Sequence, residues 1–349
     1  MDTNFKMVSV LDVFISFIWT DRYYEYGDFE LYTRVSTDIL SKIQSEYYLL
    51  NKESEHLMIV ENIEIETDLE DGHTVKITGR SLESILDRRI VWPSTIISGN
   101  IQDCIKKLLN DSIISPSISE RKIDNFIFDT SNNSKITNTI IEETEYNGDN
   151  LYEIISGLCS ANDIGFKVVL NKSNQFVFSL YVGEDRSYEQ TKNPYVTFSP
   201  EFDNLINSNY VESIQDYKNV TLVAGEKDDN DIPKTASTGN VSGLSRRELY
   251  TEATDINQKQ EDDTTLTDEE YKNLLIQRGN EALLEHKISV TFDGEFDATQ
   301  MYTYNKDFFM GDIVQVANEY GIESKARIIE FIQSQDTNGY SMYPTFSIM

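Results

Sequence analysis

The 349-residue sequence is short of the residues on which most enzyme chemistry depends. It has two cysteines and three histidines. Cys104 and Cys159 lie in apolar, helical-looking segments, with no CxxC and no Cys/His cluster. That excludes a disulfide framework and a zinc site of ordinary spacing, and both read as reduced core residues. His56, His73 and His286 are far apart, and although His56 follows Glu55 there is no HExxH. They read as solvated or capping side chains rather than metal ligands. A Gly-rich phosphate loop and a GxSxG are missing as well. Basic residues are scarce, 30 against 60 acids, for a net charge of -30. This argues against tight binding to a phosphate backbone, which needs clustered Lys and Arg. The simplest effect of such acidity is to keep the protein soluble. No apolar run reaches the roughly 18 residues needed to span a bilayer. The stretch from Val8 to Trp19 is broken by Asp12 and has neither a basic leading region nor a small-residue cleavage site. Neither a secretory signal nor a membrane anchor is expected.

Aromatic and branched apolar sequence is plentiful. Hydrophobic residues make up 39% of the chain and aromatics 11%, with 20 Tyr and 17 Phe. That content supports real cores and suits sheet faces, and the length suits two or three domains.

Residues 5–19 alternate loosely and are rich in Val, Ile and Phe, which predicts a strand. Tyr23-Tyr24-Glu25-Tyr26-Gly27-Asp28 predicts a turn, and residues 29–35 its hairpin partner. Residues 57–66 and 73–79 predict a second hairpin around Asp71-Gly72, with one buried face. A short helix from Ser81 to Asp87 follows, and Trp92-Pro93 ends this unit. From Asn100 the period becomes helical, with Ile101, Ile105, Leu108 and Leu109 on one face. Phe126-Ile127-Phe128 is strand-like, and Asp149 reads as the N-cap of a helix carrying Leu151, Ile154, Ile155 and Leu158. Residues 166–170 and 176–182 form another hairpin.

Residues 195–198, 209–214 and 219–223 return to β character. The stretch 226–270 holds 13 acids and 5 bases and predicts a mobile loop or linker. Thr267 with Glu270 is a capping-box pattern that opens a helix running to about His286. Residues 287–293, 299–304, 312–318, 324–333 and 340–347 read as five short strands, enough for a small barrel.

Paired carboxylates such as Glu142 with Glu143, or Asp293 with Glu295, are the one glycosidase-like feature. Among 60 acids such pairs arise by chance. The arginines carry more information because bases are few. Arg22, Arg80, Arg88, Arg89, Arg186, Arg246 and Arg247, together with Tyr24, are expected to serve packing or subunit contact. For any one Arg, an ordinary surface or intradomain pair is the simpler reading.

Two fingerprints open the chain, residues 19–31 beginning Trp19-Thr20-Asp21-Arg22, and residues 77–90 beginning Ile77-Thr78-Gly79-Arg80. Seven more motifs follow in order. They are Tyr146-Asn147-Gly148-Asp149-Asn150-Leu151-Tyr152, Gly165-Phe166, Tyr181-Val182-Gly183-Glu184-Asp185-Arg186, residues 196–205, residues 218–226, Arg246-Arg247-Glu248, and residues 307–314. In this order they resemble the tail-hub family of siphoviruses, which corresponds to the N-terminal structural module of tail-associated lysins. The resemblance implies an α+β, mainly β fold: two small β-barrel tube domains with an inserted α/β domain, as in phage baseplate hubs. The first barrel would be 1–98, the second 192–227 plus 287–349, and the insertion 99–191 plus 228–286.

The resemblance also implies a homotrimeric ring in the virion tail, of a phage or a phage-derived bacteriocin particle, assembled in the bacterial host cytoplasm. A tail tube or distal tail protein would lie above it and a spike or fibre below. Genomic DNA would pass through the lumen without specific binding, helped by lumen-facing carboxylates. No cofactor and no catalytic residue are implied. The sequence stops at Met349, soon after Tyr343-Pro344-Thr345-Phe346, so no lytic extension is expected. The competing classes are a tail-associated cell-wall hydrolase (glycosidase or peptidase) and a host-glycan-binding module, which the Tyr content would permit.

Overall fold

The computed structural model describes all residues except 69–71, 229, 260–264, 297–301, 322 and 338. The chain divides into two compact units, one made of Met1–Asn209 with Phe292–Met349, the other of Tyr210–Thr291. The first begins with β1 (Ser16–Arg22), β2 (Asp28–Arg34), α1 (Thr37–Lys42), β3 (Tyr48–Leu50), β4 (Leu57–Asp68) and β5 (Gly72–Ser81). A 3-10 turn, Leu82–Arg88, leads to β6 (Thr95–Asn100), α2 (Ile101–Leu109), β7 (Phe126–Asp129), α3 (Ser134–Asn138) and β8 (Ile140–Tyr146). Then come α4 (Leu151–Ala161), β9 (Gly165–Leu170), β10 (Phe176–Tyr181) and β11 (Thr197–Phe198). The chain leaves this unit along β12 (Leu205–Ser213). The second unit holds β13 (Val220–Lys227), β14 (Pro233–Thr238), β15 (Glu248–Glu252) and α5 (Asp268–Leu284). The chain returns along β16 (Ser289–Phe296) and finishes with β17 (Ile313–Ala317), β18 (Glu323–Asp336) and β19 (Gly339–Ile348).

Two separate barrels are expected from the sequence. Among the described residues neither closes, and a single sheet runs β12-β16-β19-β18-β1-β2-β5-β4-β3, with β17 on β18 and β11 on β17. The length of β18 is what joins these strands in one sheet. Its 14 residues span about 46 Å at the usual rise. One stretch pairs with β17 (Ile313↔Arg327 to Ala317↔Glu323) and the next with β1 (Arg22↔Glu330 to Phe17↔Gln335), while β19 takes the other edge. N-terminal and C-terminal strands are thereby joined in one mainly β fold.

Period-two alternation builds the first core. Phe29, Leu31 and Thr33 of β2 point inward together with Trp19, Val60, Val75 and Ile77. The expected strand at 5–19 forms only from Ser16, where pairing with Tyr32 of β2 begins; β2 itself runs on to Arg34 against β5. A second core of the same unit gathers Leu82 and Leu86, Ile101, Ile105 and Leu108 of α2, Ile155 of α4, and Phe166 and Phe178 of β9 and β10. Fully burying such side chains stabilises the fold by about 1.5–3 kcal/mol each. Cys104 and Cys159 are free and buried in this core. The N-cap of α4 is Asn150, not Asp149; its amide oxygen accepts from the Tyr152 and Glu153 N–H groups. Asp149 instead closes the preceding turn by accepting from the Asn147 N–H.

In the second unit α5 covers the sheet β14-β13-β15. Val223, Ala236 and Ala253 pack against Tyr271 and Leu275. Thr267 and Glu270 form the expected capping box. The expected mobile loop at 226–270 instead contributes two strands, because β13 pairs on both edges, antiparallel with β14 and parallel with β15. Acidic positions 229 and 261–263 lie outside the described residues, as do 299–301 of one expected strand. Tyr304 of that strand makes only an isolated bridge to Phe308. Among the described residues, no helix is long and apolar enough to cross a membrane.

Candidate functional site

The motifs that run in order along the sequence meet in space. Tyr23, from the first fingerprint, is fully buried. A Cβ on Gly165 or on Gly311 would fall 2.2 Å from its ring carbon Cε2, and Gly311 also has φ +85. Both positions therefore require glycine. The Tyr23 ring stacks edge-on with Tyr181, centroids 5.2 Å apart. The Arg327 guanidinium lies 5.5 Å from the centre of the Tyr23 ring and donates to the Gly311 carbonyl at 2.8 Å. Burial pushes the Tyr23 phenol up to about 12. Residues from four motifs, at 23, 165, 181 and 311, thus pack on one aromatic ring.

Beside it, Arg186 and Asp312 form a buried pair at 2.6 Å. The Asp312 carboxylate also accepts from the Glu184 N–H at 2.7 Å and the Phe309 N–H at 3.0 Å. Burial still raises the Asp312 pKa above its ordinary value, although Arg186 works the other way. Arg186 reaches Glu184 as well, at 2.9 Å. A cleft of about 270 Å³ opens here, lined by Tyr181, Arg186, Tyr304 and Phe309 among others. Its charges are matched, since Lys167 pairs with Glu55 at 2.5 Å and Arg186 with Asp312.

Arg80 anchors a second junction. Its fork holds Glu61 through two bonds, 2.7 and 2.9 Å, and reaches Asp87 at 2.9 Å. It also lies 4.9 Å over the Tyr26 ring. These hydrogen bonds, with Glu61 first, raise its pKa, and Arg80 in turn lowers that of Asp87. Asp87 accepts from the Asn150 amide at 2.9 Å, and the Tyr152 hydroxyl accepts from the Tyr26 N–H at 3.3 Å. Both fingerprints and the 146–152 motif are joined there. In a third junction, Phe198 meets Phe308 and Phe346 at 5.3 and 5.2 Å. The buried Asn204 side chain ties the 196–205 motif by bonding the Ser199 N–H and the Thr197 carbonyl. In the second unit, the 218–226 and 246–248 motifs pair through Asn219 and Arg247, whose backbones bond at 3.0 Å.

The remaining expected contact residues also have partners within the chain. Arg22 pairs with Asp28 and Glu330 at 2.5 and 2.6 Å. The Tyr24 hydroxyl donates to Asp163 at 3.1 Å, and burial followed by the Asp163 charge raises its pKa. Arg88 pairs with Glu46 at 2.9 Å at the surface, and Arg246 with Glu248 at 2.6 Å. Arg89 donates to the Arg121 and Arg88 carbonyls, and Arg247 to the Ile214 carbonyl. Glu142 and Glu143 are exposed neighbours on β8. The side chains of Asp293 and Glu295 lie outside the described residues.

One cluster is not legible in the sequence. His56, expected to be solvated or a cap, is buried with Nδ1 3.2 Å from Glu83. The contact is ionic rather than an aligned hydrogen bond. Glu83 accepts from the Val168 N–H at 2.8 Å. Asp21 completes the cluster, taking bonds from Trp19 Nε1 at 3.0 Å and from the Ser54 hydroxyl at 2.9 Å. Burial works against the His56 cation, yet Glu83 and Asp21 raise its pKa to about 9. Burial likewise opposes the Glu83 anion, but His56 and the bonds from Ser81 and Val168 hold its pKa below the ordinary value. Burial raises Asp21. The only available signal was chemical, a histidine and two acids spread between positions 21 and 83, and no local pattern singles them out. Among the described residues, no group of three His, Cys, Asp or Glu is placed to hold a metal ion.

The fold is similar to two solved tail proteins. The tail protein from Neisseria meningitidis MC58 matches with TM-score 0.58 and 10% identity, over 96% of this chain and 92% of that one. The 43 kDa tail protein of prophage MuSo2 from Shewanella oneidensis matches with TM-score 0.55 and 13% identity, over 96% and 94%. At such identities the likeness speaks of the fold. No curated protein matches the sequence. The family comparison gives the closer assignment, with the Siphovirus ReqiPepy6 Gp37-like protein family matching residues 1–346. The resemblance read from the motifs therefore holds, and the chain belongs to this family of siphovirus tail proteins.

Proposed function

We propose that the chain is a structural hub of a phage tail tip or baseplate. Three copies form a ring that joins the tail tube or distal tail protein above to a spike or fibre below, and DNA passes through its lumen. Family membership over residues 1–346 is the observation that carries this reading. The arrangement of the motifs supports it. Their arginines and aromatics are committed to contacts that lock segments of the chain together, as a rigid adaptor requires. Residues 1–98 and the pair 192–227 with 287–349 serve as the two tube modules, sharing a sheet through β1 and β18. Residues 99–191 and 228–286 are insertions on those modules. Two tube modules per chain let a trimer match a sixfold tube. The net charge of -30 favours DNA passage where carboxylates face the lumen, since at physiological salt repulsion acts within about 8 Å.

In this reading the chain has no catalytic role, and its place is the virion tail. The test is native mass spectrometry of the purified full chain together with zymography on cell-wall substrate. A three-chain mass without clearing is expected. Clearing by the purified chain would replace the hub with a tail-associated hydrolase.

A further inference from the structure

We propose that the exposed patch of Ile90, Trp92 and Ile118, rimmed by Arg89 and Arg121, docks an acidic face of a second copy of this chain. The inference rests on the ring reading above and names one of its contact surfaces.

The patch is a built feature. Arg121 donates to the Trp92 and Ile90 carbonyls, and its own N–H bonds the Ile118 carbonyl at 3.1 Å. These bonds bring separate backbone segments together and leave their side chains outward, with Trp92 52% exposed. A solvent-facing Trp beside Arg is the composition that dominates interface energetics.

The charges point to the partner. The chain has 60 acids for 30 bases, yet Arg89 and Arg121 make no ion pair among the described residues and spend their donors on carbonyls. Burial, then the Arg121 and Arg88 charges, lower the Arg89 pKa, so cations crowd here. Glu120 and Glu145, which accept from Ser119 and Ser94, keep their charge but form no ion pair with Arg89 or Arg121 among the described residues, and Arg88 is taken by Glu46. An apolar centre with unmatched guanidinium groups at its rim fits a surface that supplies carboxylates. A second copy, at net charge -30, supplies them. A cationic patch repels itself across a twofold axis, so the contact must join two different faces. Such heterologous contacts are the kind that close cyclic rings.

The test is sedimentation of the full chain at about 50 mM and about 0.5 M salt, for wild type, Trp92→Ser and Arg89→Glu/Arg121→Glu. The double variant removes the Arg121 bonds to carbonyls and can disturb the local fold. Trp92→Ser keeps the Trp92 carbonyl that Arg121 bonds and alters a side chain that is about half exposed, so it guards against that outcome, with circular dichroism as the check. The expected result is a trimer weakened by salt, with its dissociation constant raised at least about tenfold in each variant. Fluorescence gives a second reading, because the only other Trp, Trp19, is buried. Acrylamide quenching of Trp92 should fall as the chain associates. A trimer that forms equally well in both variants, with Trp92 still quenchable, overturns this surface and leaves the ring intact. A chain that stays monomeric at every concentration overturns both.

Discussion

Burying an ionic group costs several kcal/mol unless partners offset it. The first unit buries Asp21, His56 and Glu83 in one place. The His56 pKa is raised from 6.5 to about 9 in the fold, so protonated His56 stabilises fully below the lower value. That contribution disappears as pH rises through the upper one. The difference is worth about 3 kcal/mol as an order of magnitude. Glu83 behaves in the opposite sense, its contribution being lost on acidification. Thermal melts of wild type should therefore decline between about pH 7 and pH 10, and His56→Gln should lose most of that slope. Equal slopes would mean the cluster does not carry the charge assigned to it. This residue was read from the sequence as solvated because neither Glu83 nor Asp21 is near it along the chain. Its partner is supplied by the turn after β5, and no periodicity encodes that meeting. Arg80 and Arg186, by contrast, stood out because bases are rare.

At the scale of elements, what is local is legible. The capping box at Thr267 and Glu270 announces α5, and the structure forms both of its bonds. Thr267→Ala should destabilise α5 by about 1 kcal/mol, while Thr267→Ser should be nearly neutral, as read by the melting of a probe in the second unit. Equal stability of both variants would show that tertiary packing of Tyr271 and Leu275 alone holds the helix. The hairpins β4–β5 and β9–β10 were legible for the same reason, since their alternation and turns are contiguous. β14 and β15 were not. Their sequences are polar, and they become strands because β13 offers both edges and α5 covers one face. Nor does the sequence announce that β18 serves both halves of the first unit, because that pairing joins residues 17–22 with 330–335.

For the whole molecule, nine short motifs that are individually weak become specific once they meet around Tyr23, Arg80 and Phe198 and along β13–β15. Contacts between residues far apart in the chain tie the first unit into one body, as the pairs Arg22–Glu330 and Arg186–Asp312 illustrate. A hub must transmit load between unlike neighbours, and such long-range closure suits that task. The hub claim is tested most directly by locating the chain in purified tail particles by cryo-electron microscopy and counting its copies. Three copies in a ring at the distal end of the tube, with an open lumen, are expected. Copies repeated along the tube, or a chain absent from the particle, would contradict the account.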